Sequence, residues 1–371
     1  MRSKKIIIIS RAIYPANYPR SFRATELAIE MARCGHDVSL YGVLGRYDYK
    51  DFEKKYNVKI KNICKPLFST LNSDGKSRNS FLDEVLHRAL KRPLEFPDIE
   101  LAFHIPRILR TNRDVDLLIS VAIPFPLHWG CALAKQMNSK KFPHVWVADC
   151  GDPYMGNFVS NAKPFFYFKY IEKWFCKHAD YLSVPIKKAQ DGYYKEFHSK
   201  IKVIPQGFRF DLKRPEVDDQ MNPIPTFAYA GTFYSKFRDP TRFLDYLCTL
   251  ATPFKFVVFT NTKSLLSPFS LKLGKKLEIR DYLPRDVLLS FLCKMDFLVN
   301  FDNGTTIQSP SKLIDYALSN RPILSLTSAF NEQRIFEEFM QKDYRERFIV
   351  QDLKKYHISN VVDQFIKLVD I

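Results

Sequence analysis

Apolar residues in this chain come in short unbroken runs, separated by longer stretches in which they recur every three or four positions. The first run, Ile6-Ile7-Ile8-Ile9, follows Lys4-Lys5 and leads into Ser10, the pattern of a parallel strand covered on both faces. A loop rich in Pro, Tyr and Arg occupies 11–22. Over 23–34 Leu27, Met31 and neighbouring alanines form a helical stripe closed by Gly35, and 36–41 reads as a second strand. The chain thus opens as a βαβ unit, which predicts a doubly wound α/β sheet. Strands are predicted again at 116–121, 144–148, 181–184 and 202–204, with helices near 103–112, 127–137, 166–178 and 187–197, for six or seven parallel strands. Residues 44–100 resist this reading; they are basic, with apolar residues interleaved, and polar positions 71–80 predict a loop. The charged, Pro-bearing segment 209–225 reads as a linker. A second α/β series follows it, with strands at 226–230, 254–260, 276–281 and 297–300 and helices at 240–250, 265–273 and 284–294. The expected domains are therefore 1–208 and 226–371. The amphipathic stretch 358–369 can close back against either one.

The stretch from Asp296 to Leu326 carries the most chemistry. A buried strand run is followed by Ser309-Pro310, an N-cap before a Pro suited to the first helical position. Leu313, Ile314, Ala317 and Leu318 then continue at helical spacing, and Asn320 with Arg321-Pro322 ends the helix before Ile323. Ser311 and Lys312 fall in the first turn, with Asp315 on the same flank. Free N–H groups, a hydroxyl and an ammonium after a strand of an α/β sheet suit a diphosphate, and a carboxylate one turn deeper suits a ribose diol. The plainer alternative is a helix cap with Lys312 pointing at water. In the first half, Asp149 and Asp152 follow the strand Val145-Trp146-Val147-Ala148, at a strand end where open α/β sheets bind ligands.

Composition narrows the class. At 371 residues, 46% hydrophobic and 15% aromatic, the chain holds enough apolar surface for two cores. No apolar run reaches bilayer-spanning length and the four isoleucines are too short for a signal-peptide core, which predicts a cytoplasmic protein. Seven scattered cysteines without C-x-x-C indicate neither a disulfide framework nor a zinc site. The net charge of +17 is uneven: residues 1–210 hold 35 Lys and Arg against 20 Asp and Glu, and the remainder 22 against 20. Such a surface attracts nucleic acid, anionic lipid or acidic small molecules alike. No helix-turn-helix, RNP or zinc-finger pattern accompanies it, so nucleic acid is not an expected partner. The absence of G-x-G-x-x-G after the first strand weighs against a dinucleotide-dependent oxidoreductase.

Several motifs in order carry a resemblance. P-x-x-Y-P-R-S-x-R before the first helix, Asp149 to Tyr154, Lys202-Val-Ile-Pro-Gln-Gly207, Tyr229-Ala-Gly-Thr-Phe-Tyr-Ser-Lys-Phe-Arg-Asp-Pro240 and Pro310-Ser-Lys-Leu313 are spread over nearly the whole chain. Together they resemble retaining glycosyltransferases of family 4 with the GT-B fold, particularly the bacterial branch that assembles surface polysaccharides. The resemblance implies two Rossmann-like domains facing each other across a cleft, an N-terminal acceptor domain and a C-terminal donor domain. It implies transfer of a sugar from a nucleoside-diphosphate sugar to a glycan or a polyprenyl-diphosphate-linked acceptor. Retention of configuration would follow from the family alone.

The leaving diphosphate would meet Arg238, Lys236, Ser311 and Lys312, with no metal required. Asp315 stands where the family usually has Glu for the ribose, and the base would lie near Ile279 and Tyr282. The first of two family glutamates falls on Ile307, which leaves the donor sugar to the backbone around Asn303 and Gly304. Asp152 is the one acceptor-segment carboxylate that carries over, placed to orient the acceptor hydroxyl or take its proton, though an Asp-Pro turn equally serves as a cap. Ala16-Asn17-Tyr18 replaces the glycine-rich loop, leaving Arg11, Arg20 and Arg23 as its substitutes on the acceptor side. A lipid-linked acceptor would bring the basic N-terminal half to an anionic membrane surface, at the inner face of the cytoplasmic membrane. Two other readings stay open: a sugar-nucleotide epimerase or phosphorylase on the same scaffold, and a non-enzymatic basic protein that binds membrane or nucleic acid.

Overall fold

The computed structural model describes residues 2–16, 18–67, 89–151, 153–156, 164–210, 222–235, 238–302 and 312–370. The chain divides into two compact units, Met1–Phe208 with Lys355–Ile371, and Arg209–Lys354.

The first unit is built on seven parallel strands: β1 (Lys5–Ser10), β2 (Asp37–Gly42), β3 (Val58–Asn62), β4 (Leu117–Val121), β5 (Val145–Asp149), β6 (Tyr181–Val184) and β7 (Ile201–Val203). Their order is β3-β2-β1-β4-β5-β6-β7, so the winding reverses between β1 and β4. The four isoleucines of β1 show why the run is continuous. Ile6 and Ile8 face one core with Ala24, Leu27, Ala28 and Met31 of helix Pro19–Arg33, while Ile7 and Ile9 face a second core beneath helices Ile99–Thr111 and Pro126–Met137. A central strand covered on both sides has no position left for a polar residue. Helix Ile358–Lys367 adds Ile358, Val361, Val362, Phe365 and Ile366 to the core that holds Ile6 and Ile8.

Two predicted stretches come out differently. Residues 58–62, left unassigned in the sequence, form the edge strand β3, where only Val58 is buried and Lys59 and Lys61 alternate outward. Edge strands tolerate such lysines, which is why the apolar signal was weak. The helix expected over 187–197 is instead two 3₁₀ turns, Lys187–Gly192 and Lys195–Lys200. Gly192 lies against the loop after β5, where a Cβ would stand 2.3 Å from the Pro153 ring, so a larger residue has no room there, and a glycine weakens a helix of this length.

The second unit holds β8 (Thr226–Ala230), β9 (Lys255–Phe259), β10 (Leu277–Arg280), β11 (Phe297–Phe301) and β12 (Ile323–Leu326), all parallel, in the order β10-β9-β8-β11-β12. Both sheets therefore share the Rossmann-like order in which the first strand is central and the switch lies between the first and fourth strands. Phe227 of β8 pairs in register with Phe256 of β9 and with Phe297 of β11. Their rings stack at 4.9 and 4.7 Å, with Phe243 and Phe336 set edge-on against them. Such pairs add about 0.5–1.5 kcal/mol each beyond buried area, and they fix the register of the strands whose ends carry the site.

Candidate functional site

At the switch point of the second sheet, β8 ends at Ala230 and passes into Gly231 and Thr232, and the next strand over, β11, ends at Phe301 before Asp302. The helix Lys312–Leu318 packs beside them through buried Leu313, Ile314, Tyr316 and Leu318. Tyr316 clamps it to the strand end, its hydroxyl accepting from the Ala230 N–H at 2.7 Å. Lys312, the first residue of this helix, runs past Gly231, where a Cβ would lie 2.9 Å from the Tyr229 hydroxyl and 3.6 Å from the lysine's own Cδ. Glycine at 231, with a φ of +154°, therefore leaves room for the Tyr229 hydroxyl, and the lysine stem passes at ordinary contact distance.

The ammonium of Lys312 is the anomaly of the unit. It lies buried 4.3 Å from the centre of the Tyr229 ring, and it has no hydrogen-bond partner among the described residues. Burial first, then the neighbouring charge of Arg238, push its pKa well below the ordinary lysine value, with Asp302 opposing. An unpaired buried cation costs several kcal/mol in general. Arg238 reaches the same place from a turn in which the Tyr234 and Arg238 backbones exchange hydrogen bonds; its guanidinium packs by the Tyr234 ring, and its charge acts on the Tyr229 hydroxyl, which donates to the Thr232 carbonyl. Two cations thus converge with Asp302 as the carboxylate beside them.

Asp315 stands one turn deeper. Its Oδ1 accepts from Arg285 Nε at 2.7 Å, and burial holds its carboxyl above the usual range while Arg285 pulls it down. Tyr282, just beyond β10, is exposed, with its hydroxyl 3.3 Å from Thr232 Oγ1, which also lies 3.2 Å from Asn261 Oδ1. The strand ends of β8, β9 and β10 are thereby brought together. Ile279, half-buried in β10, packs against the aromatic core. Lys236, Asn303, Gly304, Ile307 and Ser311 lie outside the described residues, as do 211–221 of the linker.

In the first unit the predicted arginines gather on Asp149, at the end of β5. Arg23 is buried and grips both carboxylate oxygens, Nη2 to Oδ1 at 2.8 Å and Nε to Oδ2 at 3.1 Å, and it also donates to the Ile204 and Pro205 carbonyls. Arg20 donates to Oδ2 at 3.3 Å and Ser183 to Oδ1 at 2.6 Å. Burial pushes the Asp149 carboxyl up, but the charges of Arg23 and Arg20 outweigh it and hold the group below its usual range. Arg20 crosses the face of Gly151, whose φ of +68° favours glycine and where a built Cβ would stand 1.0 Å from Nη2, so a side chain there would have to displace the arginine. Arg11 pairs with Asp98 instead. Asp152 itself lies outside the described residues. Glu172 takes the N–H groups of Tyr154 and Met155, and burial pushes its carboxyl up to about 7.

Sequence reasoning did not find Asp302, Arg285, Tyr316 or Glu172, held Tyr229 only as the first residue of a motif, and placed Asp149 at a ligand-binding strand end without its arginine partners. None carries a local signal; each matters through a partner that the fold brings near. Among the described residues no group of three His, Cys, Asp or Glu side chains is placed to hold a metal ion, and no helix is long and apolar enough to cross a membrane.

No protein-family model and no curated protein sequence matches the chain. Solved structures do. A glycosyltransferase from Rickettsia africae ESF-5 is similar at 13% identity and a TM-score of 0.62, over 100% of this chain and 98% of that one. A sucrose-phosphate synthase from Thermosynechococcus elongatus is similar at 11% identity and a TM-score of 0.66, over 99% and 98%. A UDP-GlcNAc 2-epimerase from Neisseria meningitidis, bound to UDP-GlcNAc, is similar at 11% identity and a TM-score of 0.56, over 100% of both chains. The chain has the GT-B fold, two Rossmann-like α/β domains, and at these identities the likeness establishes the fold alone.

Proposed function

We propose that the protein is a glycosyltransferase that moves a sugar from a nucleoside-diphosphate donor to a glycan or lipid-linked glycan acceptor, in the assembly of a surface polysaccharide. The observation that carries this reading is the buried ammonium of Lys312, left without a hydrogen-bond partner among the described residues beside Arg238, at the switch point of the second sheet. A diphosphate answers that arrangement: as the bond from the anomeric carbon to the phosphate oxygen breaks, negative charge grows on the leaving group, and fixed cations in a water-poor site stabilise it. Asp315 is the group for the ribose diol, and Tyr282 and Thr232 flank the base. In the first unit Arg20, held over Gly151 by Asp149, faces the acceptor side. The motif resemblance supports retention of configuration.

Differential scanning of the intact chain with UDP, GDP and their sugars tests this. Stabilisation by at least one nucleoside diphosphate, lost in Lys312→Ala and Arg238→Ala, is expected, and no stabilisation by any of them would sink the reading. An epimerase remains a second reading because one shares the fold over the full chain. It predicts turnover of the sugar nucleotide without any acceptor and a changed stereocentre in the sugar, whereas a transferase yields a new glycoside.

A further inference from the structure

Lys312 carries only hydrogen-bond donors into a buried place with no acceptor for them among the described residues, and the group it meets is the ring of Tyr229, whose centre lies 4.3 Å from Nζ. That ring is fixed from every side. Tyr229 belongs to β8, the central strand of the second sheet, where it is fully buried and in register with Val258 of β9. Phe233 stacks on it at 4.4 Å with an interplanar angle of 18°, Phe301 of β11 meets it edge-on at 5.3 Å, and its hydroxyl donates to the Thr232 carbonyl at 3.0 Å. The full charges nearby do not secure the ammonium: Asp302, after β11, favours it, and Arg238, after β8, opposes it more strongly. Asp315, on the lysine's own helix, is engaged with Arg285, and Tyr282 and Tyr234 lie near Tyr229.

An aromatic face attracts a cation through its quadrupole, more strongly where water is excluded, yet it holds no full charge. That separates it from the other side chains that could fill position 229. A carboxylate there would pair with the ammonium and compete with an incoming anion, and an aliphatic side chain would leave the charge with burial and Arg238 against it. We propose that Tyr229 is a positioning residue for donor binding: its ring is a displaceable counter-charge that keeps the Lys312 ammonium charged and in place until a diphosphate takes it over. A ring contact of this kind is worth about twofold to thirtyfold in an equilibrium, less than the charge-assisted hydrogen bonds a diphosphate offers, so the anion wins the lysine. The inference rests on the transfer reading for the identity of the anion, and adds to it a residue that acts through Lys312.

The test is a pair of pH titrations of the full chain, in the wild type, Tyr229→Phe, Tyr229→Leu and Phe233→Leu. The last variant removes a ring stacked on Tyr229 and leaves the lysine its own aromatic contact. One titration follows Lys312 without nucleotide, by NMR of lysine labelled at Cε, its signal assigned with Lys312→Arg. The other measures UDP and GDP affinity by calorimetry. Tyr229→Leu is expected to move the lysine's midpoint down by about 0.4–1.5 pH units. The fall of nucleotide affinity with rising pH moves with it, so the loss is about twofold to thirtyfold above the midpoint and shrinks below it. Tyr229→Phe and Phe233→Leu keep both midpoints. An unmoved midpoint in Tyr229→Leu would overturn the proposal. So would an equal shift in Phe233→Leu, which would make the effect one of packing, or in Tyr229→Phe, which would give it to the hydroxyl. If neither nucleotide binds the wild type while the lysine's midpoint still follows the ring, the transfer reading falls and the ring's hold on the lysine is supported without it.

Discussion

Asp149 in the first unit and Lys312 in the second occupy related places, each buried near the C-terminal end of a parallel strand set, and they are treated in opposite ways. Asp149 receives two arginines and a serine hydroxyl, and its charge is held on. Lys312 lies buried without a hydrogen-bond partner among the described residues, and burial together with the charge of Arg238 lowers its pKa well below the ordinary lysine value. The protein thus shows, within one chain, what a completed buried charge looks like beside one that lacks its partner. A fully paired buried ion is finished structure; an unpaired one is a cost that persists only where something else benefits.

The largest effect should come from breaking the completed case. Asp149→Asn leaves the Arg23 guanidinium buried against a neutral amide, and the first unit should lose about 3–5 kcal/mol, read as an earlier transition in urea denaturation. A double change, Arg23→Met with Asp149→Leu, should recover much of that loss. Next, Lys312→Met should act in the opposite direction: the second unit gains about 1–3 kcal/mol in the free protein, while nucleoside-diphosphate affinity falls about tenfold to a hundredfold. If calorimetric titration and melting move together in this variant, the contrast between the two sites is wrong.

Glu172 is the intermediate case, a buried carboxylate with two backbone donors for one oxygen and none for the other among the described residues. Its folded pKa of about 7 lies above the unfolded value, so the unfolded chain holds fewer protons between them. Stability therefore falls as pH rises from about 4.3 toward 7 and is level beyond. Glu172→Gln should flatten that slope, a difference of order 1–2 kcal/mol between pH 5 and pH 7.5. The smallest effect is a fraction of a proton. An anion beside Lys312 raises its depressed pKa, so diphosphate binding takes up protons and weakens as pH rises through the lysine's range; titrations in two buffers of different ionisation enthalpy should show the uptake.

Much of this architecture was legible because periodicity is local. The run Ile6 to Ile9, the helical spacing of Leu313, Ile314 and Leu318, and the strand at Phe297 are set by neighbours within a few positions. Lys312 could be singled out for the same reason, as a cation at the start of a helix after a strand. Its missing partner could not, since that depends on Tyr229, Arg238 and Asp302. Arg20 and Arg23 share a helix flank by spacing alone, yet the carboxylate they grip lies 126 positions from Arg23. Lys59 and Lys61 hid an edge strand by alternating with apolar residues too few to make a run.

The helix Ile358–Lys367 has a consequence for how the chain is made. It buries five apolar side chains in the core that contains Ile6 and Leu27, so the unit whose first strand leaves the ribosome earliest receives its covering last. Until then the second unit, an insertion between the two parts of the first, can fold to completion while its host waits with an open hydrophobic flank. Newly synthesised chains stalled before residue 355 should be the aggregation-prone species, and the ones that hold chaperones longest.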